Sequence, residues 1–235
     1  MTSTKKDNKF FRLDISPKKV YRYYSDGQND YGWGCVYRNA QTLLEVMNIT
    51  TPQLLELVEF FLDESVAKDV GSNSLKAESR GLWIEPHDVE DYIHSHYADS
   101  IGTELESHKI KKKKTKKKKS EKQKEKEVTY PKIVDSCEEI RQIIIKHLES
   151  VNLPILIDDG SYSYLISGID FKNEKYEIID PHYGMLYSKN PPNTTSSDKK
   201  NIYGDDSGKI RWEAFDWFEN QSKTWMMLYT RPKNK

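Results

Sequence analysis

Cysteine is scarce in this chain: two residues among 235, Cys35 and Cys137. One pair cannot staple a small secreted scaffold, so stability has to come from a buried core, and a reducing compartment suits the composition. Long apolar runs are missing too. Nothing approaches the roughly 20 apolar residues that a membrane-spanning helix needs. Met1-Thr2-Ser3-Thr4-Lys5-Lys6 leads into no apolar stretch of a secretory leader. The expectation is a cytoplasmic protein, with a nuclear location also open, that does not insert into membranes. Net charge is absent as well, with 37 Lys and Arg against 37 Asp and Glu, so overall charge gives no reason to expect a polyanionic partner.

That balance hides an asymmetry. Between Lys109 and Glu127 stand 12 lysines and three glutamates, which leaves 25 basic and 34 acidic residues elsewhere, a net of −9. Ile110 is the one apolar residue of this tract, which therefore has no face to bury; a disordered insertion at about 108–128 is expected. A nuclear-import or RNA-binding patch is the alternative use. No aromatic residue interleaves with the lysines, which argues against nucleic acid. The acidic body keeps 15 tyrosines and five tryptophans, enough for a core despite a mean hydropathy of −0.84.

Residues 1–19 read as a flexible, charged lead-in, and 20–235 as a single domain interrupted by the lysine tract. Val36, Ala40, Leu43, Leu44 and Met47 recur at helical spacing and predict a helix over about 35–47. Thr51-Pro52 reads as a cap and first-position proline for a second helix to about Leu62. Pro86 opens a third, carrying Val89, Tyr92 and Ile93. Ser136-Cys137-Glu138-Glu139 forms a capping box ahead of a helix with Ile140, Ile143, Ile144 and Leu148 on one side. The pattern then changes to strands at 154–157, at 162–169 and 176–179 around Asn173-Glu174, and at 225–229. Helices first and an antiparallel sheet later predict an α+β domain.

Chemistry concentrates in two places. In Asp30-Tyr31-Gly32-Trp33-Gly34-Cys35 a tight turn feeds a helix at the cysteine. Unpaired N–H groups and the positive end of the helix dipole favour a thiolate there, the form that attacks carbonyls. Asp180-Pro181-His182 ends a predicted strand, and residues two apart share a strand face. His182 can then act as base towards Cys35 and return the proton to a leaving amine, with Asp180 orienting the ring. Each feature alone has a plainer reading, a buried cysteine or a turn; together they predict a cysteine hydrolase. Cys137 lacks the glycine turn and reads as structural. His87, His94 and His96 could suggest a metal, but His94 and His96 face different sides of a helix, so no metal and no cofactor is expected.

Gly32-Trp33-Gly34-Cys35-x-Tyr37-Arg38-x-x-Gln41-Thr42 together with Asp180-Pro181-His182-Tyr183 resembles the proteases specific for ubiquitin-fold modifier 1, in their short, catalytic-domain-only form. The resemblance implies a papain-like fold, N-terminal helices packed on a mainly antiparallel sheet, with Cys35, Asp180 and His182 as catalytic residues. It implies Tyr23 as the oxyanion donor, with a one-residue slip to Tyr24 left open. The implied substrate is ubiquitin-fold modifier 1, as precursor and as conjugates, and the implied reaction is hydrolysis after its C-terminal glycine, for maturation and deconjugation. Trp33 and Gly34 either wall a narrow substrate channel or, in the case of Trp33, plug the core. Ser79-Arg80-Gly81-Leu82-Trp83-Ile84 resembles the family pattern but has one residue extra and Glu85 in place of glycine, and Ser163-Tyr164-Leu165 stands where many members carry an Ala-His-Thr-like run. A monomer is expected. Two alternatives stand beside this reading: an autophagy-modifier cysteine protease, and a ubiquitin-like binding module without catalysis.

Overall fold

The computed structural model describes residues 10–16, 20–62, 67, 69–70, 82–97, 103–110, 133–134, 137–182, 210–219 and 225–232, with backbone alone for 103–110, 133–134 and 230–232. Eight strands form one sheet: β1 (Phe10–Arg12), β2 (Thr103–Ile110), β3 (Ile133–Val134), β4 (Ile155–Asp158), β5 (Ser163–Asp170), β6 (Lys175–Ile179), β7 (Ile210–Ala214) and β8 (Trp225–Pro232). Their order is β3-β2-β8-β4-β5-β6-β7, with β1 on β5. Every pairing is antiparallel except that of β2 with β3. It is accompanied by the helices α1 (Cys35–Val46), α2 (Leu54–Phe61), α3 (Pro86–Tyr97), α4 (Cys137–Val151) and α5 (Phe215–Glu219). This is the α+β class that the sequence predicts.

Both faces of the sheet are covered at its centre, which is why the central strands read as apolar runs rather than alternating ones. Ile155, Ile157, Ile166, Ile178, Met227 and Tyr229 face a cluster that includes Ile140, Ile144 and Leu148 of α4 and Phe215 and Phe218 of α5. Their neighbours Leu156, Leu165, Ile179 and Leu228 face the other way, into a cluster built on α1, α2 and α3. The period of two along each strand thus feeds two cores at once.

Several expected boundaries move. Helix α2 starts later than Thr51-Pro52 suggests, because Gln53 caps it and the Glu56 carboxylate accepts the Gln53 N–H at 2.7 Å. The lead-in expected over 1–19 is not flexible throughout: β1 adds to β5 beyond the end of β4, pairing Phe10 with Asp170 and Arg12 with Gly168. Its backbone comes so close that a Cβ on Gly168 would lie 2.8 Å from the Phe11 carbonyl oxygen, a contact that only glycine permits. Residues 108–110 of the expected disordered insertion belong to β2, where they pair with Met227, Met226 and Trp225. Ladder hydrogen bonds to β8, rather than apolar content, hold them. Residues 111–132, the bulk of the lysine tract, lie outside the described residues, as do Tyr183 and 79–81.

Candidate active site

The site forms where the N-terminus of α1 meets the ends of β4, β5 and β6. Cys35 is the first residue of α1 and is 1% exposed. The turn before it is built by charge. Arg38, one turn into α1, is completely buried; its Nε donates to Asp30 Oδ2 at 2.6 Å and its Nη2 to Asp26 Oδ1 at 2.8 Å. Asp30 also accepts the Tyr24 N–H at 2.7 Å, and Asp26 accepts the Leu54 N–H at 3.0 Å. One guanidinium therefore ties the 21–30 segment and the start of α2 to the helix that carries the cysteine. Gly34 has to be glycine for this to close, since a Cβ there would sit 2.3 Å from Asp30 Oδ2. Burial weighs against ionisation of Asp26, but Arg38 more than offsets it and holds the carboxyl below its usual range.

That segment delivers Tyr23. Its ring is buried, its backbone N–H donates to Pro181 O at 3.2 Å, and its ring centroid is 5.2 Å from that of His182, edge to face. Its hydroxyl interacts with the Cys35 sulfur and with the Gly32 backbone, burial and then the sulfur pushing the phenol up and the Gly32 N–H drawing it down. Tyr23 thus touches both Cys35 and His182. Tyr24 does not compete for this place: its hydroxyl turns outward to Asn29 Oδ1 at 2.7 Å.

Asp180-Pro181-His182 is arranged differently from the strand end that the sequence predicts. β6 stops at Ile179 and the three residues form a turn. Asp180 Oδ1 accepts both the His182 backbone N–H, at 2.8 Å, and its ring Nδ1, at 2.7 Å. The plainer reading as a turn and the chemical reading are therefore one structure. Burial opposes the Asp180 charge, but His182 and then Arg211 outweigh it and keep the carboxyl below its usual range. A carboxylate only accepts, so Nδ1 carries the proton and the neutral ring has its lone pair on Nε2. His182 Nε2 is buried and lacks a hydrogen-bond partner among the described residues.

The electrostatics of Cys35 pull in two directions. Burial first, and the Asp158 carboxylate second, push the thiol up to about 12, against the pull of N–H groups of Ser163 and Val36 and the Tyr23 hydroxyl. Burial and the Asp158 charge thus oppose the thiolate that the helix N-terminus favours. Sequence reasoning missed Asp158, at the end of β4, and Asn39, whose Nδ2 donates to Ser163 Oγ at 2.9 Å. Asn39 was open to discovery, since it follows Cys35 by four residues and shares its helix face. Arg211, which contacts Asp180 through Nη1, was missed as well. Trp33 packs inside, 5% exposed and edge to face with Tyr37 at 5.5 Å, and Gly34 makes room for Asp30. Trp33 thus contributes to the core and Gly34 to the turn. Cys137 is exposed at the first position of α4.

No family model matches the chain. Among curated proteins it is similar to a probable Ufm1-specific protease of Oryza sativa subsp. japonica, 21% identical over 169 residues, 70% of this chain and 22% of that protein. It is likewise similar to the Ufm1-specific protease of Caenorhabditis elegans, 25% identical over 179 residues, 71% of this chain and 25% of that protein. The chain therefore spans about a quarter of the length of the curated relatives it matches. Among solved structures it matches UfSP from C. elegans over 100% of this chain and 36% of that one, with a TM-score of 0.56 and 17% identity. In fold this chain is thus similar to C. elegans UfSP, and in sequence to the Ufm1-specific proteases.

Proposed function

We propose that the chain is a papain-like thiol protease that hydrolyses the bond after the C-terminal glycine of Ufm1, both in precursors and in isopeptide conjugates. The observation that carries this reading is the shared contact of Tyr23 with the Cys35 sulfur and the His182 ring, with His182 fixed by Asp180 and its Nε2 left without a partner. His182 Nε2 takes the Cys35 proton as the sulfur attacks the glycine carbonyl. Asp180 stabilises the imidazolium that results. The Tyr23 hydroxyl, freed from the sulfur once the C–S bond forms, donates to the oxyanion. The imidazolium then protonates the departing amine, and water hydrolyses the thioester by the same base. A cytoplasmic or nuclear site of action, as a monomer, belongs to the same proposal.

The deciding experiment is covalent capture. Ufm1 ending in a C-terminal electrophile is expected to form an adduct at Cys35, located by peptide mass mapping. Tight binding with no adduct would establish a binding module instead, and trimming of an autophagy-modifier precursor alone would move the chain to that class. Tyr23→Phe is expected to lower kcat on a Ufm1 precursor by about 10²–10³, the usual cost of losing one oxyanion donor. Steady-state kinetics with an unchanged kcat would remove Tyr23 from the mechanism.

A further inference from the structure

β7 lies beside β6 with Arg211 opposite Ile178. Asp180 follows directly on Ile179, the last residue of β6, and Arg211 reaches it past the end of that strand. We propose that Arg211 is a positioning residue for the acid–base pair, clamping the Asp180 carboxylate so that it can hold the His182 ring. Arg211 Nη1 donates to Asp180 Oδ2, while Oδ1 is given over to the two N–H groups of His182. Each carboxylate oxygen thus has its own task.

Arg211 is itself held. Its Nε donates to Glu213 Oε1 at 2.6 Å, and its guanidinium carbon lies 5.8 Å from the Tyr164 ring centroid. The Tyr164 centroid is in turn 5.3 Å from that of His182. Glu213, Arg211, Asp180 and His182 make one row across the end of the sheet, with Tyr164 against its centre. The need for such a row follows from the turn: Asp180 lies past the last ladder pair of β6, and the terminal torsion of an aspartate is broad and nearly two-fold. Without a second partner the carboxylate can rotate and release the ring. A planar guanidinium fork suits this task better than a point charge.

This inference rests on the reading of Cys35, His182 and Asp180 as the reacting set, and its test separates the two. In the full chain, Arg211→Met is expected to lower kcat on a Ufm1 precursor about 10- to 100-fold with KM held within about twofold, the signature of misplaced reacting groups. Arg211→Lys is expected to recover part of the loss. The low-field proton resonance of His182 Nδ1–H is expected to be sharp in the wild type and to broaden in Arg211→Met through exchange with water. If Arg211→Met does not fold, Glu213→Gln carries the test, with kcat falling several-fold in the same direction. An unchanged kcat, a loss confined to KM, or an unaltered Nδ1–H resonance would overturn the proposal. A wild-type chain that cleaves nothing would overturn the protease reading instead, and the resonance would still decide whether Arg211 holds the ring.

Discussion

Cys35→Ser is expected to abolish cleavage, with kcat falling by about 10⁶, the scale seen when the nucleophile of a hydrolase is removed. The substitution is close to isosteric, and the donors around the sulfur, the Tyr23 hydroxyl and the Ser163 and Val36 N–H groups, can all serve an oxygen. The fold is therefore expected to survive, and the loss is chemical. A buried serine hydroxyl is far harder to deprotonate than a thiol, and the Asp158 carboxylate that already opposes a thiolate opposes an alkoxide more. Cleavage assays followed by mass spectrometry, with thermal unfolding as the control, measure both parts. Turnover near the wild-type level would place the nucleophile elsewhere, with the exposed Cys137 as the next candidate.

Arg38→Met is expected to cost about 3–5 kcal/mol of stability, the range for breaking a buried ion pair by removing one partner. The side chain is fully buried, and so is that of Asp30. Methionine fills most of the volume but leaves Asp30 and Asp26 without their counter-ion. A loss of that size is a large part of the total stability of a typical domain. Urea unfolding followed by circular dichroism is the direct measurement, and a change under 1 kcal/mol would contradict this account. Activity should fall beyond the stability effect, because the same guanidinium anchors the segment that brings Tyr23 to Cys35.

The helices of the first core were legible because their apolar residues recur at the period of the helix. Cys35 at the start of α1 and Met47 at its C-cap followed from that spacing alone. The central strands β4, β5, β6 and β8 were legible as apolar runs. β1, β2 and β7 were not. Phe10-Phe11-Arg12 is a strand only because β5 extends past β4, a fact held 156 to 160 residues downstream. The second-rank members of the site were hidden for the same reason. Asn39 and Ser163 are 124 residues apart, and Asp180 and Arg211 31 apart, so no local pattern joins them. The cysteine, histidine and aspartate stood out because each sits in a short motif whose residue types are chemically unusual together.

The seclusion of Cys35 bears on how the protein endures storage and stress. Peroxide and small alkylating agents react with thiolates, in proportion to how much anion is present and how freely the reagent reaches it. A sulfur that is 1% exposed, and whose thiol is pushed up by burial, offers little of either. Cys137, open to solvent, meets such reagents first. Oxidative damage would therefore mark Cys137 before it reaches Cys35.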